Sequence, residues 1–431
     1  MTGLAFLKRL AALESSDLFR STALGLHAVQ LYESVRSGAF ENVVEAEPLR
    51  EFAKTLAAET LDAHTDPDLW ESIQAVAAVL PFWGSRGSWG IGREGVYAAL
   101  LQYAKALSNG DEWELAIEIL LIVAIDAEVD GEDYWAAQAH LLLGFGYRTL
   151  ADWSSSALSY QHAYALARQA GAFSLALRAH IGEANNKVTK GDIPGAAKQL
   201  AATLRRAHAT CPEIVPRVVL AQANVANASG QFERAIQLAY RALTLAETDR
   251  ETQYPILVDI AQFLSDYGVP DVACDALKLV ADTAPERLVR VHALINLLFI
   301  SANQQDEAAF ELTRDRLTNE ALRPRQQILS HLFQAQGYLR FGHVPEARKA
   351  AERAASLASH HSFHQYSFQA EDEIRKIGQA SDMPPYDGRV AVRTNTIYHG
   401  RSMSHRVTRI ADQVRDLIAA ERGGPHAAVA V

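Results

Sequence analysis

Apolar residues recur at helical spacing along most of this chain, and no segment shows the strict alternation that predicts a half-buried strand. Between Gln138 and Ala170 the spacing predicts two amphipathic helices joined by a polar break at Ala151–Asp152. The first helix carries small residues such as Gly144 on its apolar face, and the second carries Tyr160. Small residues allow two helices to approach, and the aromatic ring fills the remaining space, so the stretch predicts a pair of packed helices.

Similar breaks recur at nearly constant intervals through the rest of the chain. They fall at Gly110–Asp111, Ala151–Asp152, Gly191–Asp192, Gly230–Gln231, Gly268, Asn303 and Gly342. At every break except Ala151, Gly or Asn supplies the permissive backbone that ends a helix. Prolines that suit the start of the following helix stand at Pro194, Pro270 and Pro345. The seven breaks predict about fourteen helices, with a closing helix over His361–Ile377.

The packing pattern of the first pair recurs near the end of the predicted helices, at Ala335, Tyr338, Gly342, Ala347, Ala351 and Ala354. This arrangement resembles the tetratricopeptide repeat (TPR), whose usual period is about 34 residues. The repeats here are about five residues longer than that period, which is similar to the long repeats of bacterial peptide-sensing and sugar-responsive regulators. The resemblance implies an all-α, right-handed superhelical solenoid, in which first helices line a concave groove and second helices lie outside.

Four segments follow from this pattern. They are an N-terminal helical cap or bundle (1–80), a Gly-rich linker (81–95), a solenoid of about seven repeats plus a closing helix (96–380), and a basic C-terminal tail with one amphipathic helix (381–431). The linker contains a GxGxxG motif at Gly90, Gly92 and Gly95. No strand precedes that motif, so it does not predict a dinucleotide site.

The TPR resemblance also indicates which residues line the groove. Its concave positions include the second and ninth residues of each repeat. Basic residues stand at the second position in Arg178, Arg217 and Arg290, and amides at the ninth in Asn185, Asn224, Gln262 and Gln336. A ladder of amides can hold an extended peptide backbone, and arginines can bind carboxylates by forked hydrogen bonds. Phe145 and Leu297 interrupt the ladder at the ninth position of two other repeats.

The tail combines a basic stretch with an amphipathic helix. Its candidate docking residues are Arg401, Arg406, Val407, Arg409, Ile410, Val414 and Leu417. The apolar members follow helical spacing, so the helix is expected to dock on its own solenoid or in a partner's groove. Nucleic acid is the less favoured partner, because no aromatic platform accompanies the arginines.

Two other polar clusters partly resemble metal sites. His360, His361 and His364 have no acidic or thiol ligand beside them, which favours surface histidines over a metal site. The acidic segment Asp126–Asp133 begins like a calcium loop, but Ala137 replaces the essential last glutamate. Since no Lys or Arg occurs from 106 to 147, this segment predicts a solvated acidic corner, with adventitious cation binding or a basic partner as alternatives.

Composition narrows the class of protein. Hydrophobic residues make up 49% and charged residues 21% of the chain, which is typical of an ordered fold. The net charge of −10 argues against a protein that coats nucleic acid with its whole surface. Cys211 and Cys274 have no CxxC spacing and are expected to be buried thiols. The longest apolar run is too short for a membrane span, so a cytoplasmic location is predicted.

No HExxH, GxSxG or Walker motif occurs in the chain, so we predict no enzymatic activity, no cofactor and no metal site. The predicted function is that of an adaptor or scaffold that binds a protein or peptide in the groove. A signal-responsive transcription or signalling regulator is the alternative, as is a non-catalytic subunit of a larger bacterial complex. Residues 1–80 give no support to the regulator alternative, because they show no helix-turn-helix with a basic recognition helix. Replacing Asn185 and Asn224 with alanine is expected to weaken binding without a large loss of stability.

Overall fold

The computed structural model describes residues 25–26, 29–30, 93–246, 249–361, 363–381 and 404–423. Within these residues all regular secondary structure is helical, so the all-α prediction is confirmed. Nearly all of the predicted cap and linker lies outside the described residues, and so does Arg401. Among the described residues, none of the helices combines the length and the apolar character needed to cross a bilayer.

Contacts between Cα atoms divide the chain into two compact units, Met1–Asn186 and Lys187–Val431. The first unit contains helices α1 (Arg93–Asn109), α2 (Trp113–Asp130), α3 (Asp133–Thr149) and α4 (Trp153–Gln169). Helix α5 (Phe173–Thr189) crosses the boundary between the units. The second unit contains α6 (Ile193–Thr210), α7 (Val215–Ala228), α8 (Phe232–Leu245), α9 (Arg250–Tyr267), α10 (Pro270–Thr283), α11 (Arg287–Gln304), α12 (Glu307–Thr318), α13 (Pro324–Phe341), α14 (Val344–His360), α15 (His364–Ser381) and α16 (His405–Gly423).

Each predicted break lies at or within two residues of the junction between two of these helices, and the closing helix is α15. The residues that adopt the left-handed conformation differ from the prediction at two turns. At the first, Asp111 has φ 63° in place of Gly110, and at the sixth, Gln305 has φ 59° in place of Asn303. The reason is that this conformation belongs to the residue that follows the last helical turn, where its N–H bonds back to a free carbonyl. At the first turn that bond runs from Asp111 N to Ser108 O, over 3.1 Å.

Helix packing within each unit follows the TPR-like plan. Consecutive helices pack on each other, as α3 does on α4 and α13 on α14. First helices also pack directly on the next first helix, α1 on α3 in the first unit and α9 on α11, α11 on α13 and α13 on α15 in the second. Helices α9, α11, α13 and α15 therefore form a surface of their own, which α7 joins through a hydrogen bond between Asn224 and Asp259. These five helices are here called the first-helix face.

The close approach predicted for the first helix pair is present. Tyr160 on α4 is 2% exposed, and its ring lies against the backbone of Gly144 on α3 and Gly182 on α5. Nearby, Asn186 Nδ2 donates to Ser156 Oγ over 2.8 Å, and that hydroxyl donates to the Gly144 carbonyl. Two glycines thus form the slot that a single tyrosine ring fills.

Gly182→Ala is expected to destabilise the first unit by about 2 kcal/mol, because overpacking a filled core typically costs that much. A Cβ at this position would lie 2.3 Å from Tyr160 Cε1, and the buried ring also lies against Gly144. The measurement is urea unfolding followed by circular dichroism. Gly378→Ala on α15 is the matched control, since no atom lies within 4 Å of its added Cβ. The control should gain up to about 1 kcal/mol from helix propensity, and equal effects of the two changes would contradict the packing account.

The amphipathic helix of the tail is α16, and it packs on α8 and α10 of the same chain. Val407 and Val414 are fully buried there, and Ile410 is nearly so. Leu417 is half-buried, whereas the side chains of Arg406 and Arg409 are exposed. The sequence left two docking sites open, the chain's own solenoid and a partner's groove. The apolar stripe of α16 packs on the chain's own second helices, α8 and α10.

The two cysteines differ in their surroundings. Cys211 is buried, as expected, but Cys274 is only partly buried and its Sγ lies 3.8 Å from Gln304 Oε1. Burial nevertheless raises the pKa of the Cys274 thiol to about 11, so this thiol stays protonated at neutral pH. Protonated thiols are poor nucleophiles and poor metal ligands.

Candidate functional site

The seven residues predicted to line the groove all lie on first helices. Arg178 and Asn185 stand on α5 within the first unit. The other five belong to the second unit, with Arg217 and Asn224 on α7, Gln262 on α9, Arg290 on α11 and Gln336 on α13. All seven therefore lie on first helices, and the contacts of those in the second unit follow.

Three of the five side chains in the second unit bind carboxylates of the protein itself. Asn224 forms a hydrogen bond with Asp259 of α9. Gln262 Nε2 donates to Asp266 Oδ1 over 3.0 Å, and Gln336 Nε2 donates to Glu373 Oε1 of α15 over 3.2 Å. These amides already hold acidic groups in place. The repeat register of the sequence does not mark the positions of these carboxylates.

Asp259 is the most perturbed of these carboxyl groups. Burial raises its pKa to about 6, and the hydrogen bond from Asn224 opposes that rise only in part. Asn224→Ala would leave this carboxylate without that donor, and a lost hydrogen bond of this kind costs about 1–3 kcal/mol. The double alanine change proposed from the sequence is therefore expected to reduce stability as well as binding.

Asp266 lies two turns beyond Asp259 on α9, about 10 Å along the helix axis. Burial also raises the pKa of Asp266, while hydrogen bonds from Gln262 and Asn227 oppose that rise. Because residues seven apart share one side of a helix, the two carboxyl groups form a stripe with Gln262 between them. Helix α9 thus carries two partly or largely buried acids, and the hydrogen-bond donors to them in the described part of the chain are amides.

A mixed charge cluster lies further along the first-helix face, between α13 and α15. Glu373 is 7% exposed and accepts hydrogen bonds from Gln336 and from Lys376 Nζ at 2.8 Å. Burial lowers the pKa of the Arg340 guanidinium, and the charge of Glu373 opposes that shift. Within the described part of the chain, Arg340 Nη1 is buried and has no hydrogen-bond partner. It is a donor that a bound group could satisfy.

The arginines predicted to bind carboxylates have different surroundings. Arg290 Nη1 donates to the backbone carbonyls of Ala284 and Pro285, over 2.8 and 2.7 Å. That nitrogen therefore fastens the corner between α10 and α11. Arg217 is exposed on α7. Of these two, Arg217 is the side chain that extends into solvent.

His292 lies near Arg290 on α11, and its protonation makes the stability of the protein depend on pH. Burial, together with the positive charges of Arg325 and Arg323, lowers its pKa to about 4. In the unfolded chain His292 takes up a proton near pH 6.5, whereas in the folded chain it does so only near pH 4. Stability is therefore lost as the pH falls from about 6.5 towards 4, by about 2 kcal/mol at pH 5.

His292→Gln is accordingly expected to make the protein more stable than the wild type at pH 5, by about 2 kcal/mol relative to the difference at pH 8. Paired urea titrations at the two pH values measure this change. Other titrating groups are common to both proteins and cancel in the comparison. A difference in stability that is the same at pH 5 and pH 8 would show that His292 is not held neutral by burial.

No family model matches the chain, and no curated protein sequence matches it. Solved structures are similar in fold at low sequence identity. One is a Rap protein complexed with competence and sporulation factor, with 12% identity, 84% of this chain and 98% of that chain covered, and a TM-score of 0.48. Another is aspartyl phosphate phosphatase F from Bacillus subtilis, with 14% identity, 84% and 94% covered, and a TM-score of 0.46.

A third is NprR in complex with its cognate peptide NprX, with 13% identity, 88% of this chain and 91% of that chain covered, and a TM-score of 0.42. These similarities assign neither a partner nor a functional residue to the present protein. The helix order and the packing of its first helices stand on their own evidence. By that architecture, the chain is an all-α protein of TPR-like helix-turn-helix repeats.

Proposed function

We propose that the first-helix face of the second unit binds an extended peptide or protein segment, and that α9 recognises a basic side chain on it. The observation that carries the proposal is the pair of acids Asp259 and Asp266, whose pKa values burial raises. Among the described residues these acids are supported by amides, and burying a carboxyl group with neutral partners alone costs free energy; such groups cluster at functional sites. A lysine or arginine of the ligand would supply a compensating positive charge.

Supporting amides give the carboxylates a fixed orientation. Asn224 and Asn227 approach from α7, and Gln262 lies on α9 itself. A charge held in place before binding loses less side-chain entropy when the ligand arrives. The role proposed for these amides thus differs from the one inferred from the sequence, because they position the recognising group instead of contacting the peptide backbone.

Arg340 would provide a second contact. Its buried and unpartnered Nη1 can donate to a carbonyl or carboxylate of the same ligand. A ligand with both a basic side chain and an acceptor would therefore satisfy both polar clusters of this face. We assign the protein a binding function in a regulatory adaptor, without catalysis.

The test is a peptide array in which each basic peptide is printed beside a version with Lys and Arg replaced by Gln. The wild-type chain should bind the basic member of the best pairs at least about tenfold more tightly, equivalent to about 1.4 kcal/mol. The variant Asp259→Asn/Asp266→Asn should lose that preference. Asp271→Asn, at an exposed acid on the second helix α10, is the matched control and should keep it. An unchanged preference in the double variant would refute the assignment to α9.

A further inference from the structure

The first unit brings together three side chains that no sequence motif connects. Glu128 lies near the end of α2, His140 in α3 and His162 in α4. One potential ligand atom from each lies within 4.8 Å of the others. His140 Nε2 is 2.6 Å from Glu128 Oε1, and the two imidazole rings are 5.1 Å apart between centroids.

We propose that Glu128, His140 and His162 bind one Zn²⁺ ion. Two imidazoles and one carboxylate are a set that zinc accepts, with further positions for water or for a ligand from a partner. Bond lengths of about 2 Å around a tetrahedral ion require ligand atoms about 3.3 Å apart. The ligand atoms now lie within 4.8 Å of one another, and the His140–Glu128 pair is at 2.6 Å. Because Glu128 and His162 are exposed, rotation of their side chains can adjust both distances without moving the helices.

The surroundings favour a cation at this position. No Lys or Arg occurs between residues 106 and 147, whereas the corner that joins α2 to α3 contains the acidic segment Asp126–Asp133. The resulting negative potential raises the local concentration of cations.

A simple ion pair explains less of the geometry. Contact between His140 and Glu128 accounts for two of the three residues, but it gives no role to the ring of His162. A shared metal ion would contact both imidazoles and the carboxylate, and it would link three helices of the first unit.

The experiment uses the full chain without a histidine tag, freed of metal by a chelator and dialysis, and titrated calorimetrically with zinc chloride. We expect one equivalent to bind, and saturating zinc at one hundred times Kd to add about 2.7 kcal/mol to the stability of the first unit. His162→Ala should weaken binding at least about tenfold. Because His162 is exposed, this change should leave the circular dichroism spectrum unaltered.

His361→Ala is the control, because it removes a member of the other histidine cluster, at the turn between α14 and α15. The control should bind zinc like the wild type. The proposal would be overturned if the wild type bound no zinc when zinc is present at about 100 times the protein concentration. It would also be overturned if zinc binding persisted in His162→Ala or disappeared in His361→Ala. Since the test uses zinc as the only ligand and the varied ligand residue lies in the first unit, its outcome is independent of the peptide site in the second unit.

Discussion

Val414→Asp is expected to detach helix α16 from the second unit, at a cost of about 4 kcal/mol. Val414 is fully buried where α16 packs on α8 and α10. A carboxylate at this position would lose the apolar contact and would also be an unpaired buried charge. Hydrogen exchange of residues 405–423 and thermal unfolding measure the two consequences.

Ala419→Asp is the control for the added charge, because Ala419 is exposed on the same helix. It should reduce stability by less than about 1 kcal/mol, the usual size of a helix-end charge effect. Exchange in α16 should remain slow in the control and become fast in Val414→Asp. Slow exchange in both variants would mean that the apolar stripe does not hold α16 on its own chain.

Asp259→Asn is expected to raise the free energy of unfolding by about 3 kcal/mol at pH 8. In the unfolded chain this carboxyl group ionises near pH 3.9, but burial raises its folded pKa to about 6. The wild type therefore loses stability as the pH rises from about 4 to about 6, and the loss remains at higher pH. An asparagine has no charge to bury, and its amide can still pair with Asn224.

Urea unfolding at pH 8 and at pH 4 tests this sign. The advantage of the variant should be present at pH 8 and absent at pH 4, where the wild-type carboxyl group is already protonated. Asp271→Asn should show no such dependence, because Asp271 is exposed. A variant less stable than the wild type at pH 8 would mean that a cation already compensates Asp259. If Asp259→Asn gains stability but loses recognition of the basic peptide, Asp259 serves binding at a cost to stability.

The architecture was largely predictable, because it depends on short-range signals. Turn residues such as Gly191 and Gly342 end helices through their own backbone preferences, and apolar spacing gives the helices between them. What failed was the choice of the left-handed residue at Asp111 and Gln305, where a shift of one or two residues at the helix end changes the assignment. Where a helix ends also depends on tertiary packing, and the backbone preferences of single residues do not include that effect.

The candidate site was predictable only in part. The repeat register placed Asn224 and Gln336 on first helices, but it could not show that their amides are bonded to Asp259 and Glu373. Those acids come from the next repeats, 35 and 37 residues further along the chain, at positions that the register does not mark. The sequence does not bring together the residues of the proposed zinc site for the same reason, since His140 and its neighbours meet only through the packing of three helices.

The central claim is that a ligand cation replaces the proton on Asp259. It is tested by calorimetry at pH 6 with the tightest basic peptide from the array, in two buffers of different ionisation enthalpy. Since Asp259 has a pKa of about 6, binding to the wild type should release about half a proton, and binding to Asp259→Asn about half a proton less. Equal proton release from the two proteins, with equal affinity for the peptide, would contradict the claim.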